Sequence, residues 1–127
     1  MIKIHTKYSA LLVEDDPALR RYLEVTLERA GYRVILAADG LEAMKKVLAS
    51  KVDIVITDAM MPNLSGHEFC RFLRSTPRLC HIPIVLLSAL ERREGCSEEQ
   101  LADAFLSKPV SAEELTECLA RLVPAAK

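Results

Sequence analysis

The chain has 127 residues, half of them hydrophobic and 28% charged, with 5% aromatic residues and no tryptophan, which suits one domain around a mainly aliphatic core. Seventeen basic against eighteen acidic residues give a formal charge of -1, so no broad electrostatic surface for direct nucleic-acid binding is expected. No apolar run approaches the roughly 18 residues of a membrane span, which argues against membrane insertion.

Residues 1–8 read as a polar arm without the apolar core of a signal peptide, residues 9–123 as the domain, and 124–127 as a tail. Ser9-Ala10-Leu11-Leu12-Val13 is the first strand-like run, and it stops at Glu14-Asp15-Asp16. Pro17 suits a first helical position with Asp16 as N-cap. Leu19, Leu23, Thr26, Leu27 and Ala30 then recur at helical spacing, and Gly31 closes the helix. Arg33–Ala37 is the second strand, and Leu41, Met44, Val47 and Leu48 give the next helix its apolar face.

Val52–Thr57 is a short, mostly apolar, β-branched run of the kind that forms a buried parallel strand. It ends in Asp58, before a loop marked by Pro62, Asn63, Ser65 and Gly66. Phe69, Phe72 and Leu73 face a third helix that ends near Thr76-Pro77. Ile82–Leu87 is the fourth strand and runs into Ser88-Ala89. A weak helical region fills 91–102, where Gly95 costs about 1 kcal/mol relative to Ala and a helix that is short, displaced or mobile is expected. Ala104–Ser107 is the fifth strand and leads to Lys108-Pro109. Ser111 and Glu114 make a capping box for a fifth helix, which packs through Leu115, Cys118, Leu119 and Leu122.

Short buried strands alternating with helices mean an α/β fold, a five-stranded parallel sheet with helices on both faces. Ligands of such sheets bind beyond the carboxyl ends of the strands. Those ends carry Glu14 and Asp15, Asp58, Ser88 and Lys108, with Asp16 nearby. Clustered carboxylates repel, and a divalent cation relieves the repulsion; an oxygen-only set suits magnesium. Lysine and a hydroxyl beside the metal favour an anion, and the combination describes phosphoryl transfer. Cys70, Cys80, Cys96 and Cys118 follow no metal-ligand spacing, and reduced, mostly buried thiols in the cytoplasm are expected. His5, His67 and His81 are scattered, and no helical setting is expected for any of them.

Glu14-Asp15, Asp58 with Met61-Pro62 and Gly66, Ser88-Ala89 and Lys108-Pro109, in that order and at those separations, resemble a receiver domain of two-component response regulators over roughly residues 9–123. The resemblance implies a flavodoxin-like, doubly wound sheet of order 2-1-3-4-5 and a phosphoacceptor signalling domain, not a turnover enzyme. It makes Asp58 the phosphoacceptor for a phosphohistidine on a histidine kinase or phosphotransfer protein. It makes Asp15, Asp58 and the Met60 backbone carbonyl ligands of magnesium, with Glu14 acting through water; a match displaced by one residue brings in Asp16 instead. Ser88 and Lys108 contact the phosphate, the Ala59 and Ala89 amides complete the cradle, and Ser88 with Phe105 forms a switch that alters the face of helix 4, strand 5 and helix 5. Met60 and Leu90, both apolar, stand where the family tunes water attack, which implies slow self-dephosphorylation.

An output domain or target protein, and a homodimer, are compatible with this reading. Two other functions compete with it. One is a scaffold of the same fold without regulated phosphorylation. The other is a magnesium-dependent phosphohydrolase with Asp58 as nucleophile, disfavoured because Met60 stands where such enzymes carry a second acid.

Overall fold

The computed structural model describes residues 7–61, 63–89 and 101–123. Five strands, β1 (Ser9–Val13), β2 (Arg33–Ala37), β3 (Ile54–Asp58), β4 (Ile84–Ser88) and β5 (Ala104–Ser107), form one parallel sheet of order β2-β1-β3-β4-β5. The helices among the described residues are α1 (Pro17–Arg29), α2 (Gly40–Ala49), α3 (Gly66–Ser75) and α4 (Ala112–Leu122). The last is the fifth helix of the sequence reading. The expected helical region lies, over 91–100, outside the described residues, as does Leu90.

Strand side chains alternate between faces, and the core divides accordingly. Leu11, Val13, Val55, Ile84 and Leu86 meet α2 and α3 through Ala43, Val47, Phe69, Cys70 and Leu73. Ala10, Leu12, Ile54, Ile56, Val85 and Leu87 meet α1 and α4 through Leu23, Leu27, Leu115, Cys118 and Leu119. β1 and β3 are buried at every residue because both faces are covered.

Helix ends follow the residues that cap them. Asp16 accepts the Ala18 amide at 3.0 Å with Pro17 behind it, and Gly31, at φ +98°, takes the left-handed conformation that glycine permits after α1. Ser111 and Glu114 form the expected reciprocal box at α4. A second box, Ser65 with Glu68, opens α3 and was equally visible as Ser-x-x-Glu.

Three of the elements differ from their expected faces or bounds. Leu41 and Leu48 do not face the core: they are about half exposed, and the buried stripe of α2 is Gly40, Ala43 and Val47, one residue round the helix. Gly40 decides this, since a Cβ there would lie 2.5 Å from the Leu64 carbonyl oxygen. β4 begins at Ile84 and not Ile82, because Pro83 offers the ladder only its carbonyl, to the Val55 amide at 2.9 Å. β3 likewise begins at Ile54 and takes in Asp58 as its last residue.

Two features fix the ends of the sheet. At the amino ends of β4 and β5, Arg74 donates to the carbonyls of Leu101 (2.9 Å), Cys80 (2.8 Å) and Ile82 (2.8 Å) and to Asp103 (2.7 Å). At the carboxyl end of β3, the Gly66 amide donates to the Ala59 carbonyl at 3.1 Å, and a Cβ on Gly66 would collide with the Asp58 carbonyl oxygen and approach the Ala59 Cα to 2.9 Å. α3 therefore starts directly against the backbone of Asp58.

Gly66→Ala is expected to cost about 1–3 kcal/mol by forcing α3 off that backbone, as read in urea unfolding; an unchanged midpoint would contradict the close approach. The thiols give a second expectation. Burial pushes Cys70 up to about 12 and also raises Cys118, whereas Cys80 is exposed. Only the thiolate attacks an alkylating reagent, so at about pH 8 Cys80 should be modified first among the three cysteines of the described residues, with Cys70 and Cys118 reacting after unfolding. Peptide mapping that found Cys70 labelled as fast as Cys80 would refute this.

Candidate functional site

The order of the strands brings the acids together. β1 and β3 are neighbours with Val13 opposite Thr57, so the next residues, Glu14 and Asp58, emerge side by side. The Glu14 amide continues the ladder to the Ala37 carbonyl at 3.1 Å. On the other flank Asp58 is opposite Leu87 and Ser88 is opposite Ser107. The Lys108 amide then donates to the Ser88 carbonyl at 2.8 Å, which carries the lysine onto the same rim.

Lys108 Nζ reaches back over the rim to Asp58 Oδ2 at 2.9 Å and Glu14 Oε1 at 3.2 Å. Glu14 and Asp58 are buried, at 1% and 5% exposure, while Asp15 faces solvent. One oxygen from each of Glu14, Asp15 and Asp58 lies within 4.8 Å of the others, the separation at which carboxylates can share a cation. Asp16 turns elsewhere: its carboxylate caps α1, and its amide donates to Glu14 Oε2 at 3.1 Å.

Burial raises the Glu14 carboxyl above its ordinary value; the Asp16 amide opposes this, the negative Asp58 adds to it, and Lys108 lowers it again. Burial alone would lower the Lys108 ammonium, but Asp58 and Glu14 outweigh it and the net displacement is upward. The lysine is thus held charged by the acids it separates.

Ser88 ends β4 and is half-buried, with Ala89 exposed beside it. Phe105 is half-buried opposite Leu86 and rests on the α2–α3 side of the core with Leu101 and Ala102. The Met60 side chain is 65% exposed. The Ala59 amide is not available to a ligand, because it extends the sheet by donating to Leu87 O at 2.8 Å. The amide turned toward the carboxylate is that of Met60, which donates to Asp58 Oδ1 at 3.2 Å. Residue types after a strand do not reveal which amide faces inward, so the sequence carried no signal for this.

A second contact missed from sequence is Arg20, half-buried in the first turns of α1, which donates to the Glu14 carbonyl at 2.8 Å. His67 also departs from expectation. The Ser65–Glu68 box starts α3 at Gly66, so His67 is helical, half-buried, and its Nδ1 has no hydrogen-bond partner.

The chain matches the model of the response regulator receiver domain over residues 10–120. Response regulator MprA of Mycobacterium ulcerans is 42% identical over 110 residues, which are 83% of this chain and 45% of that protein, so the chain spans less than half of that relative's length. Among solved structures, the chemotaxis response regulator CheY4 of Vibrio cholerae superposes with a TM-score of 0.87 at 33% identity, covering 93% of this chain and 100% of that one. The receiver domain of sensor histidine kinase PA1611 from Pseudomonas aeruginosa, solved with a magnesium ion coordinated in its active-site cleft, gives 0.85 at 31% identity, covering 94% and 100%. With the strand order and the crowded acidic rim already established, these matches show that the chain belongs to the response regulator receiver domain family of two-component systems.

Proposed function

We propose that Asp58 accepts a phosphoryl group from a phosphohistidine of a histidine kinase or phosphotransfer protein. The observation that carries this reading is the single ammonium of Lys108 bridging two buried carboxylates at 2.9 and 3.2 Å, with Asp15 completing the group. A carboxylate oxygen of Asp58 attacks phosphorus as the phosphorus–nitrogen bond breaks; the electron pair returns to the imidazole, and Asp58 becomes an acyl phosphate. Catalysis of such a transfer is chiefly positioning and neutralisation of charge. The Met60 amide on Oδ1 and Lys108 on Oδ2 hold the carboxylate, and Lys108 shifts its pairing to the new phosphate.

Asp15 and Asp58, with Glu14 through water and the Met60 carbonyl, would hold magnesium, and the oxygen-only donor set fits that ion. When bound, the ion supplies positive charge to the transferring oxygens. Ser88 and Phe105 would read the outcome: the Ser88 hydroxyl donates to the phosphate, its loop moves inward, and Phe105 fills the space released. Lacking a hydroxyl, Phe105 acts by packing. The face that changes would be offered to an output domain, a target protein or a second copy, and the reactions remain those of a cytoplasmic signalling domain upon itself. The exposed thioether of Met60 offers no acid, which speaks against a phosphohydrolase.

Intact-mass measurement after treatment with acetyl phosphate and magnesium should show the gain of one phosphoryl group, absent in Asp58→Asn. Lys108→Met should slow the gain by about 100-fold, in line with removal of one donor from a transition-state charge. Modification persisting in Asp58→Asn would overturn the assignment. Replacing Met60 by Gln gives the phosphoryl neighbourhood a side chain able to orient water, and the lifetime of the modified protein should shorten; an unchanged lifetime would reject the tuning role of this position.

A further inference from the structure

We infer that Arg20 is a positioning residue that fixes the Glu14–Asp15 peptide and thereby prepares Asp15 to receive the cation. The inference rests on the cation reading given above and goes beyond it to a residue outside the acidic group.

The three acids are not held alike. Asp58 has donors on both oxygens, from Met60 and Lys108. The Glu14 carboxylate likewise receives the Asp16 amide and Lys108. Asp15 is exposed. No hydrogen bond holds its carboxylate among the described residues, so what the fold fixes of Asp15 is its backbone, and the peptide before it is the Glu14–Asp15 unit. That unit is held at its carbonyl by Arg20 Nη1 at 2.8 Å. Glu14 is anchored on the other side by its amide to Ala37 at 3.1 Å. Arg20 is anchored in turn, since its own amide donates to Asp16 O at 2.8 Å in the first turn of α1. The turn from β1 to α1 is thus closed by a side chain six residues on, and the ring of contacts contains Asp15 but leaves its carboxylate clear.

Charge and geometry make opposite demands here, which permits a clean test. A guanidinium held on the Glu14 carbonyl repels an incoming cation if it acts by charge, so its loss should then tighten binding or leave it unchanged. If Arg20 positions Asp15, its loss should weaken binding, as loss of partners that orient metal ligands does. Arg21, one residue on, carries the same charge but is turned to solvent and pairs with Glu24 at 3.1 Å. It serves as the charge control.

Magnesium titrations of the whole chain, followed by the amide resonances of Asp58 and Met60, would measure the dissociation constant for wild type, Arg20→Met, Arg20→Lys and Arg21→Met. Arg20→Met is expected to weaken magnesium by about 10-fold and Arg20→Lys by no more than about 3-fold, with Arg21→Met close to wild type. Magnesium bound by Arg20→Met as tightly as by wild type, or more tightly, would overturn the inference while leaving the cation site standing. Absence of any magnesium response in wild type would instead refute the cation reading. Amide spectra of each variant without magnesium establish that the sheet is intact. A folded Arg20→Met with weakened magnesium therefore supports positioning, and one with unaltered magnesium refutes it.

Discussion

The whole rim depends on one ammonium shared between two carboxylates that the fold has taken out of water. At an effective dielectric of about 20, Lys108 at 2.9 and 3.2 Å contributes on the order of 5 kcal/mol with each of Asp58 and Glu14. Mutual repulsion among three acids lying within 4.8 Å costs on the order of 3 kcal/mol per pair. The two sets nearly cancel, and against the desolvation of Glu14 and Asp58 the fold sets one backbone amide each, from Asp16 and Met60. The upward displacement of Glu14, caused first by its burial, is the same imbalance seen in one group. With all three acids ionised, one ammonium leaves an excess of two negative charges, the amount that one divalent cation neutralises.

Most of this architecture was legible in the residues. Strands as short and β-branched as β3 leave few alternatives, and once they alternate with helices the sheet must be parallel, which sends every strand's last residue to one rim. Glu14, Asp15, Asp58, Ser88 and Lys108 could thus be grouped before any distance was known. The rest depends on backbone rotation beyond the strand ends, which residue types do not encode. It was this rotation that gave the inward amide to Met60 and the outward one to Ala59. The face of α2 was half right for a related reason: Met44 and Val47 pack on the core, and Leu41 and Leu48 do not. Leu41 and Leu48 repeat with the same seven-residue interval as the true stripe, and only the fit of Gly40 against Leu64 selects between two equally periodic answers.

Gly66 shows how closely packing and site are joined. The missing side chain lets α3 begin against the Asp58 and Ala59 backbone, and the Ser65–Glu68 box fixes that start. The glycine that marks the loop in the sequence is thus also a condition on where the Asp58 carboxylate stands. Lys108 is tied down from the other flank through its amide to Ser88, so the two residues proposed to touch phosphate are joined through backbone before any ligand arrives.

The opposite end of the same sheet supplies a comparison for the acidic rim. There too, acids enter the structure, yet each is answered within the fold. Asp53 Oδ2 accepts the Ser9 amide at 2.7 Å, and Asp103 Oδ2 accepts both the Ile84 amide at 2.8 Å and Arg74 at 2.7 Å. An acid needed only to hold strands together is provided with its own donors, because an unanswered charge would weaken the fold. Glu14 and Asp58 also have donors, but they share one lysine and stand with Asp15 as three carboxylates within 4.8 Å, a crowding the other end of the sheet does not have among the described residues. Stability gives no reason to keep such an excess, since trimming any one of them would relieve it. An excess of negative charge is what a cation would offset, and the proposed phosphoryl group, itself negative, would need that cation and Lys108 beside it.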